Sequence, residues 1–216
     1  MSDNETILLA GPPAAGKSST AGLLANIVGK RVVSADALWD RYAVRWGYSR
    51  QREVYLDSTA GVRAVFDYWR PFEALVLRAL VRDFPGSVID AGGGCLVQNS
   101  ARERSLVAEA LLQVDHRFLL MPEPDDVARS QSVIASRLAA RAKRDGFLAS
   151  WLLRGGAALV DDLVTAMFPP PSRFTVVPSP DDIRVEGTTT LILEQLGVVL
   201  GHTELRDAPA DAVRKQ

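Results

Sequence analysis

Eight consecutive residues constrain this chain more than any other feature. Gly11-Pro12-Pro13-Ala14-Ala15-Gly16-Lys17-Ser18 fits the pattern G-x-x-x-x-G-K-[ST], which carries meaning only where a strand feeds it and a helix leaves it. Both flanks comply: Thr6–Ala10 (TILLA) is a short apolar run, and a helical stretch follows from about Gly16 to Val28. In that setting successive backbone N–H groups at the helix N-terminus form a nest for an anion. Gly16 lets the backbone approach a phosphate, Lys17 reaches the β and γ oxygens, and the Ser18 hydroxyl is a magnesium ligand. Pro12 and Pro13 cannot donate, but they occupy the early part of the loop and leave the donors from Ala15 to Ser19 intact. Gly11, Ala14, Ala15, Gly16, Lys17, Ser18 and Ser19 are thus expected to hold the phosphates of ATP.

Beyond the loop, strand-like and helix-like segments alternate, which predicts an α/β fold: a five-stranded parallel sheet flanked by helices, with a helical lid. Further strands are expected at Arg31–Ser34, Ser87–Asp90, Arg117–Met121 and Phe174–Val177. Val62, Val65, Phe66 and Trp69 follow the i, i+3, i+4, i+7 spacing of one helix face, and Pro71 is expected to stop or kink that helix. Ser100-x-x-Glu103 is a capping box that starts another helix. Long helical stretches cover Asp125 to Arg144 and Phe147 to Phe168, the second interrupted at Gly155-Gly156, and a final helix is expected over Thr188–Leu196. With no repeat and no long linker, residues 1–201 read as one domain with a lid at about 125–156, and residues 202–216 as a loose tail.

Charge narrows the function classes. The 216 residues hold 25 Lys+Arg against 26 Asp+Glu, a net charge of −1, and only 4 of the 25 basic residues are Lys. That balance argues against a nucleic-acid partner or a polybasic membrane anchor. A single cysteine, Cys95, excludes an intrachain disulfide framework, and an acidic start without an apolar run argues for a cytoplasmic protein. It is expected to act as a monomer or homodimer.

Several side chains outside the loop bear on what receives the phosphate. Asp36, just past the second strand, could orient or deprotonate an acceptor hydroxyl, and the same position suits a helix N-cap. Arg70 oriented by Glu73 suits an anionic substrate group. Gly92-Gly93-Gly94 after the third strand allows close backbone approach. Asp90, at the end of that strand, suits the shell of Mg2+ beside Ser18. Arg137, Arg141 and Arg144 fall on one helix face and suit a lid closing over a triphosphate.

Taken in order, these features resemble shikimate kinase, within the nucleoside-monophosphate-kinase-like group of P-loop kinases. The matching positions are the phosphate loop, Asp36, Trp69-Arg70-x-x-Glu73, Gly92-Gly93-Gly94, and Arg137 with Arg144 seven residues on. The resemblance spans roughly Thr6 to Gly197. It implies that Asp36 contacts the acceptor hydroxyls and Arg70 its carboxylate, with Glu73 at the same substrate-binding site, and that the glycine run packs on its ring. It also implies that Arg137 lies over adenine and that Arg144 meets the transferring phosphate, with Lys17, Asp36 and Arg144 as the catalytic set. The sequence departs from the pattern in its acceptor half. Ser34 replaces an Asp, the segment from Asp36 to Arg70 is longer, and Asp145-Gly146 follows Arg144 in place of Arg-Pro-Leu. Arg154 is the remaining candidate for a second carboxylate ligand. The expected activity is transfer of the γ-phosphate of ATP, with Mg2+, to a hydroxyl of a small cyclic polyol, with or without a carboxylate. The alternatives are another acceptor (a sugar acid, a nucleoside monophosphate or an antibiotic hydroxyl) and an ATP-binding sensor without catalysis.

Overall fold

Parallel strands covered on both faces read as unbroken apolar runs, and the centre of the molecule is built from such runs. The structure, a computed structural model, describes residues 2–181 and 183–198. Strands β1 (Ile7–Ala10), β2 (Val32–Ser34), β3 (Val88–Asp90), β4 (His116–Met121) and β5 (Thr175–Pro178) form one sheet in the order β2-β3-β1-β4-β5. All four pairings are parallel. Every residue of β1 is buried, as are all of β3 and the last four residues of β4, while Val32 and Thr175 on the edge strands are exposed. Leu9 faces Asp90, and Asp90 in turn faces Ser34, so β1, β2 and β3 end side by side. The chain leaves β1 toward β2 and β3 on one side and returns to β4 and β5 on the other. That reversal opens a crevice at the carboxyl ends of the strands, where ligands bind in sheets of this kind.

The helices are α1 (Lys17–Ile27), α2 (Ala35–Ala43), α3 (Arg50–Asp83), α4 (Ala101–Leu111), α5 (Val127–Ala142), α6 (Gly146–Trp151), α7 (Ala157–Ala166) and α8 (Val185–Gln195). A 3-10 turn at Val44–Trp46 follows α2, and a π-helical turn at Leu152–Gly156 joins α6 to α7. Side chains satisfy the first N–H groups of five helices: Ser34, Ser49, Ser100, Asp126 and Asp145 each accept from the N3 amide. The capping box at Ser100 and Glu103 is complete. Because Ser34 caps α2, Asp36 is released from that duty and lies in the first turn with its carboxylate free for other work.

Two helix expectations are corrected. Pro71 does not stop its helix; α3 runs through it, and the break lies at Gly61, with φ 79° and ψ 178°. Phe72, Val76, Leu77 and Leu80 anchor the stretch after Pro71 in the core, which offsets the hydrogen bond that the proline removes. Gly61 has no Cβ and takes the positive φ that other residues avoid. The last helix starts at Val185, three residues earlier than expected, and β5 starts at Thr175. The tail expected over 202–216 lies outside the described residues. Among the described residues no helix is long and apolar enough to cross a membrane.

Candidate active site

The phosphate loop connects β1 to α1 and owes its shape to two left-handed residues, Ala14 (φ 61°) and Gly16 (φ 93°). Alternation of that kind turns successive N–H groups to one side. No side chain caps α1 and its first turn holds no acidic residue, so its free N–H groups and positive helix end are left for an anion. Lys17 is buried and its Nζ donates to the carbonyl of Pro12 at 2.9 Å, folding the side chain over the loop. Burial pushes its pKa down and the nearby Arg141 adds to this, while Asp90 and Asp36 pull it up.

Asp90 at the tip of β3 is buried beside Lys17 and the Ser18 hydroxyl; burial raises its pKa and those two neighbours oppose the rise. A serine hydroxyl and a carboxylate are hard oxygen donors, and magnesium is held by one or two protein oxygens with water and phosphate oxygens completing the shell. Among the described residues no group of three or more His, Cys, Asp or Glu side chains could enclose a metal by itself. Ser18 and Asp90 therefore fit a Mg2+ ion that arrives with a nucleotide.

A cavity of about 570 Å³ gathers the expected residues. Lys17, Ser18, Asp36, Glu73, Asp90, Gly92, Gly93 and Gly94 all line it. The glycines are needed for close approach: a Cβ on Gly93 would stand 2.9 Å from Pro13 Cδ, and one on Gly94 would stand 2.5 Å from Glu73 Oε1 and 2.9 Å from Arg70 Nη1. Behind Gly94, Arg70 donates through Nη1 to the Gly94 carbonyl at 2.7 Å and to Glu73 at 3.3 Å, with its guanidinium 4.1 Å from the Phe66 ring centroid. Arg70 is 4% exposed, and it is not among the residues that line the cavity. Burial lifts the Glu73 carboxyl to about 7, with Arg70 opposing and Asp36 adding to the rise. Cys95, after the glycines, is pushed up to about 12 by burial, which leaves it an uncharged thiol.

A second cavity of about 480 Å³ lies on the other side of Ala14, which lines both. Arg137 reaches into it from α5, held by Asp181 at 2.9 Å, the Ser179 carbonyl at 2.6 Å and the Ala14 carbonyl at 3.2 Å. Two expected residues lie elsewhere. Arg144 is exposed in the turn after α5, because the helix ends at Ala142 and Asp145 already caps α6. Arg141, one turn earlier, lines the main cavity in its place. Arg154 in the π-helical turn is bound to Asp57 of α3 at 2.7 and 2.8 Å, outside the cavity lining. Sequence reasoning also passed over Glu53, whose signal is a lone carboxylate directly after Arg50 and Arg52, and Trp151. Both line the main cavity.

Comparison with solved structures matches this architecture. A shikimate kinase from Acinetobacter baumannii in complex with shikimate superposes with a TM-score of 0.59 at 19% identity, over 89% of this chain and 92% of that one. A shikimate kinase from Bacteroides thetaiotaomicron gives 0.54 at 16% identity, over 89% of this chain and 98% of that one. The fold is that of the shikimate kinases. At such identities the shikimate kinase likeness concerns backbone architecture, and side-chain chemistry has to be argued from this chain's own residues. No protein family model matches the chain, and no curated protein matches it.

Proposed function

We propose that this protein is an ATP-dependent kinase that transfers the γ-phosphate to a hydroxyl of a small cyclic polyol. The observation that carries this reading is the meeting of Lys17, Asp90 and Asp36 in one cavity beside an uncapped helix N-terminus, with a second cavity at Arg137 for the base of the nucleotide. The loop amides and Lys17 bind the β- and γ-phosphates, and Arg137 holds the nucleoside end. Ser18 and Asp90 would hold Mg2+, which when bound neutralises charge on the phosphates. Asp36 orients the acceptor hydroxyl and takes its proton as the oxygen attacks the γ-phosphorus. A new P–O bond forms, the bond from the γ-phosphorus to the β–γ bridging oxygen breaks, and ADP leaves. Arg141 and Lys17 face the charge spread over the transferring group. The lid, taken as residues 125–156, would exclude water so that ATP is not spent on hydrolysis.

The reading is tested by ADP release with shikimate and with neutral cyclic polyols, comparing the native chain with Lys17→Ala and Asp36→Asn. Lys17→Ala is expected to lower kcat by roughly 10²–10³ and Asp36→Asn by about 10²–10⁴, with the fold intact by circular dichroism. Acceptor-dependent turnover that survives Lys17→Ala would refute it.

A further inference from the structure

The acceptor end of the main cavity is walled by aromatic rings that the phosphate chemistry does not use. Trp39, Phe66, Trp69 and Trp151 all line it. Trp69 is central, its ring centroid 6.3 Å from that of Trp39 and 6.5 Å from that of Phe66. Its Nε1 donates to Glu53 at 2.9 Å. Glu53 is 8% exposed, accepts a second hydrogen bond from the Tyr48 hydroxyl and pairs with Arg50 at 2.8 Å. A buried carboxylate with three partners fixes the Trp69 ring before any ligand arrives, which lowers the cost of ordering it on binding. Rings that served only the core would be covered by neighbouring side chains. These instead face about 570 Å³ of open space continuous with Asp36 and Lys17, within the roughly 300–1,000 Å³ of pockets for drug-sized ligands.

The charges at this end point the same way. Asp36, Asp40, Glu53 and Glu73 line it, and the cation among them, Arg50, is committed to Glu53. Arg70 is held behind Gly94 by the Gly94 carbonyl and Glu73. The other cations that line the cavity, Lys17 and Arg141, are assigned to the phosphates. An acceptor carboxylate beside Asp36, Asp40 and Glu53 would therefore have no cation of its own among the described residues, and burying an unpaired charge is costly.

Building on the kinase reading, we infer that the acceptor is an uncharged hydroxylated molecule with an aromatic ring, seated against Trp69 and Trp39 so that a hydroxyl reaches Asp36. Ring contacts of this kind add to the gain from buried area alone. Glu53 acts as a positioning residue for Trp69.

Three of the four tryptophans line the cavity, so intrinsic fluorescence reports on it directly. The full chain, loaded with ADP and Mg2+, is titrated with shikimate, methyl shikimate and phenyl β-D-glucoside, and 31P NMR with ATP follows the products. Phenyl β-D-glucoside is expected to perturb the tryptophans and to half-saturate at a concentration about tenfold below that of shikimate. Methyl shikimate should bind more tightly than shikimate. Trp69→Ala should erase the preference for the aryl ring, and Trp69→Phe should restore most of it, with ADP affinity unchanged in both. Shikimate binding as tightly as the phenyl glucoside, or a preference that survives Trp69→Ala, overturns the inference. Phosphorylation of shikimate with the aryl glucoside ignored overturns the inference and leaves the kinase reading standing. Aryl binding with the tryptophan signature and no phosphorylated product from any probe overturns the kinase reading and leaves the ring site standing.

Discussion

Glu73 holds the most perturbed carboxyl at the site, lifted from the ordinary 4.5 to about 7 by burial. A carboxyl with a raised folded-state pKa contributes stability that is complete below its unfolded pKa. That contribution is lost as pH rises through the folded value, because the unfolded chain gives up the proton first. The window here runs from about 4.5 to about 7. Thermal unfolding of the native chain is therefore expected to lose more Tm between these limits than Glu73→Gln does, since the amide cannot titrate. Equal slopes for the two proteins would show that Glu73 does not titrate in this range. The same residue also explains the neighbouring glycine: a Cβ on Gly94 would stand 2.5 Å from Glu73 Oε1. Glu73 and Gly94 were both legible in the sequence as members of a pattern. The reason for their juxtaposition was not, because it depends on α3 and the loop after β3 meeting in space.

On the scale of elements, α5 sorts its arginines by where the helix ends. Arg137 and Arg141 lie one turn apart and reach the two cavities, whereas Arg144 falls beyond the last turn at Ala142. Spacing along a helix face could not separate Arg141 from Arg144, since i+4 and i+7 share a face; the turn capped by Asp145 separates them. Arg141→Ala is expected to lower kcat by about 10²-fold, and Arg144→Ala to change it by less than about twofold. Steady-state ADP release on the two variants measures both, and the reverse ranking would return the catalytic role to Arg144. α3 carries a similar lesson. Proline was the visible helix breaker, but Pro71 is held by core packing on its far side, and the break falls at Gly61. There the π-helical turn that follows α6 comes in, with Gly155 approaching Val62 and Arg154 pairing with Asp57.

The whole molecule places its two cavities at the point where the sheet reverses order, on either side of Ala14. A nucleotide spanning them would bind the folded chain and not the unfolded one. ADP with Mg2+ at a hundred times its Kd is then expected to stabilise the fold by about 2.7 kcal/mol, a Tm rise of roughly 5–10 °C for a domain of this size. Scanning calorimetry with and without nucleotide measures it, and Lys17→Ala should shrink the shift. The sequence by itself determined the α/β class, the strand–loop–helix that makes the phosphate nest, the capping box and the order of the candidate groups, because each of these is written in local pattern and spacing. Tertiary structure decided which arginine of α5 lines the main cavity, that Arg70 stands behind the glycine run, and that Trp39, Trp69 and Trp151 close around one space with Glu53 fixing the central ring. Those facts depend on contacts between segments far apart in the chain, and local propensity carries no information about which side chains such contacts cover and which they leave facing a cavity.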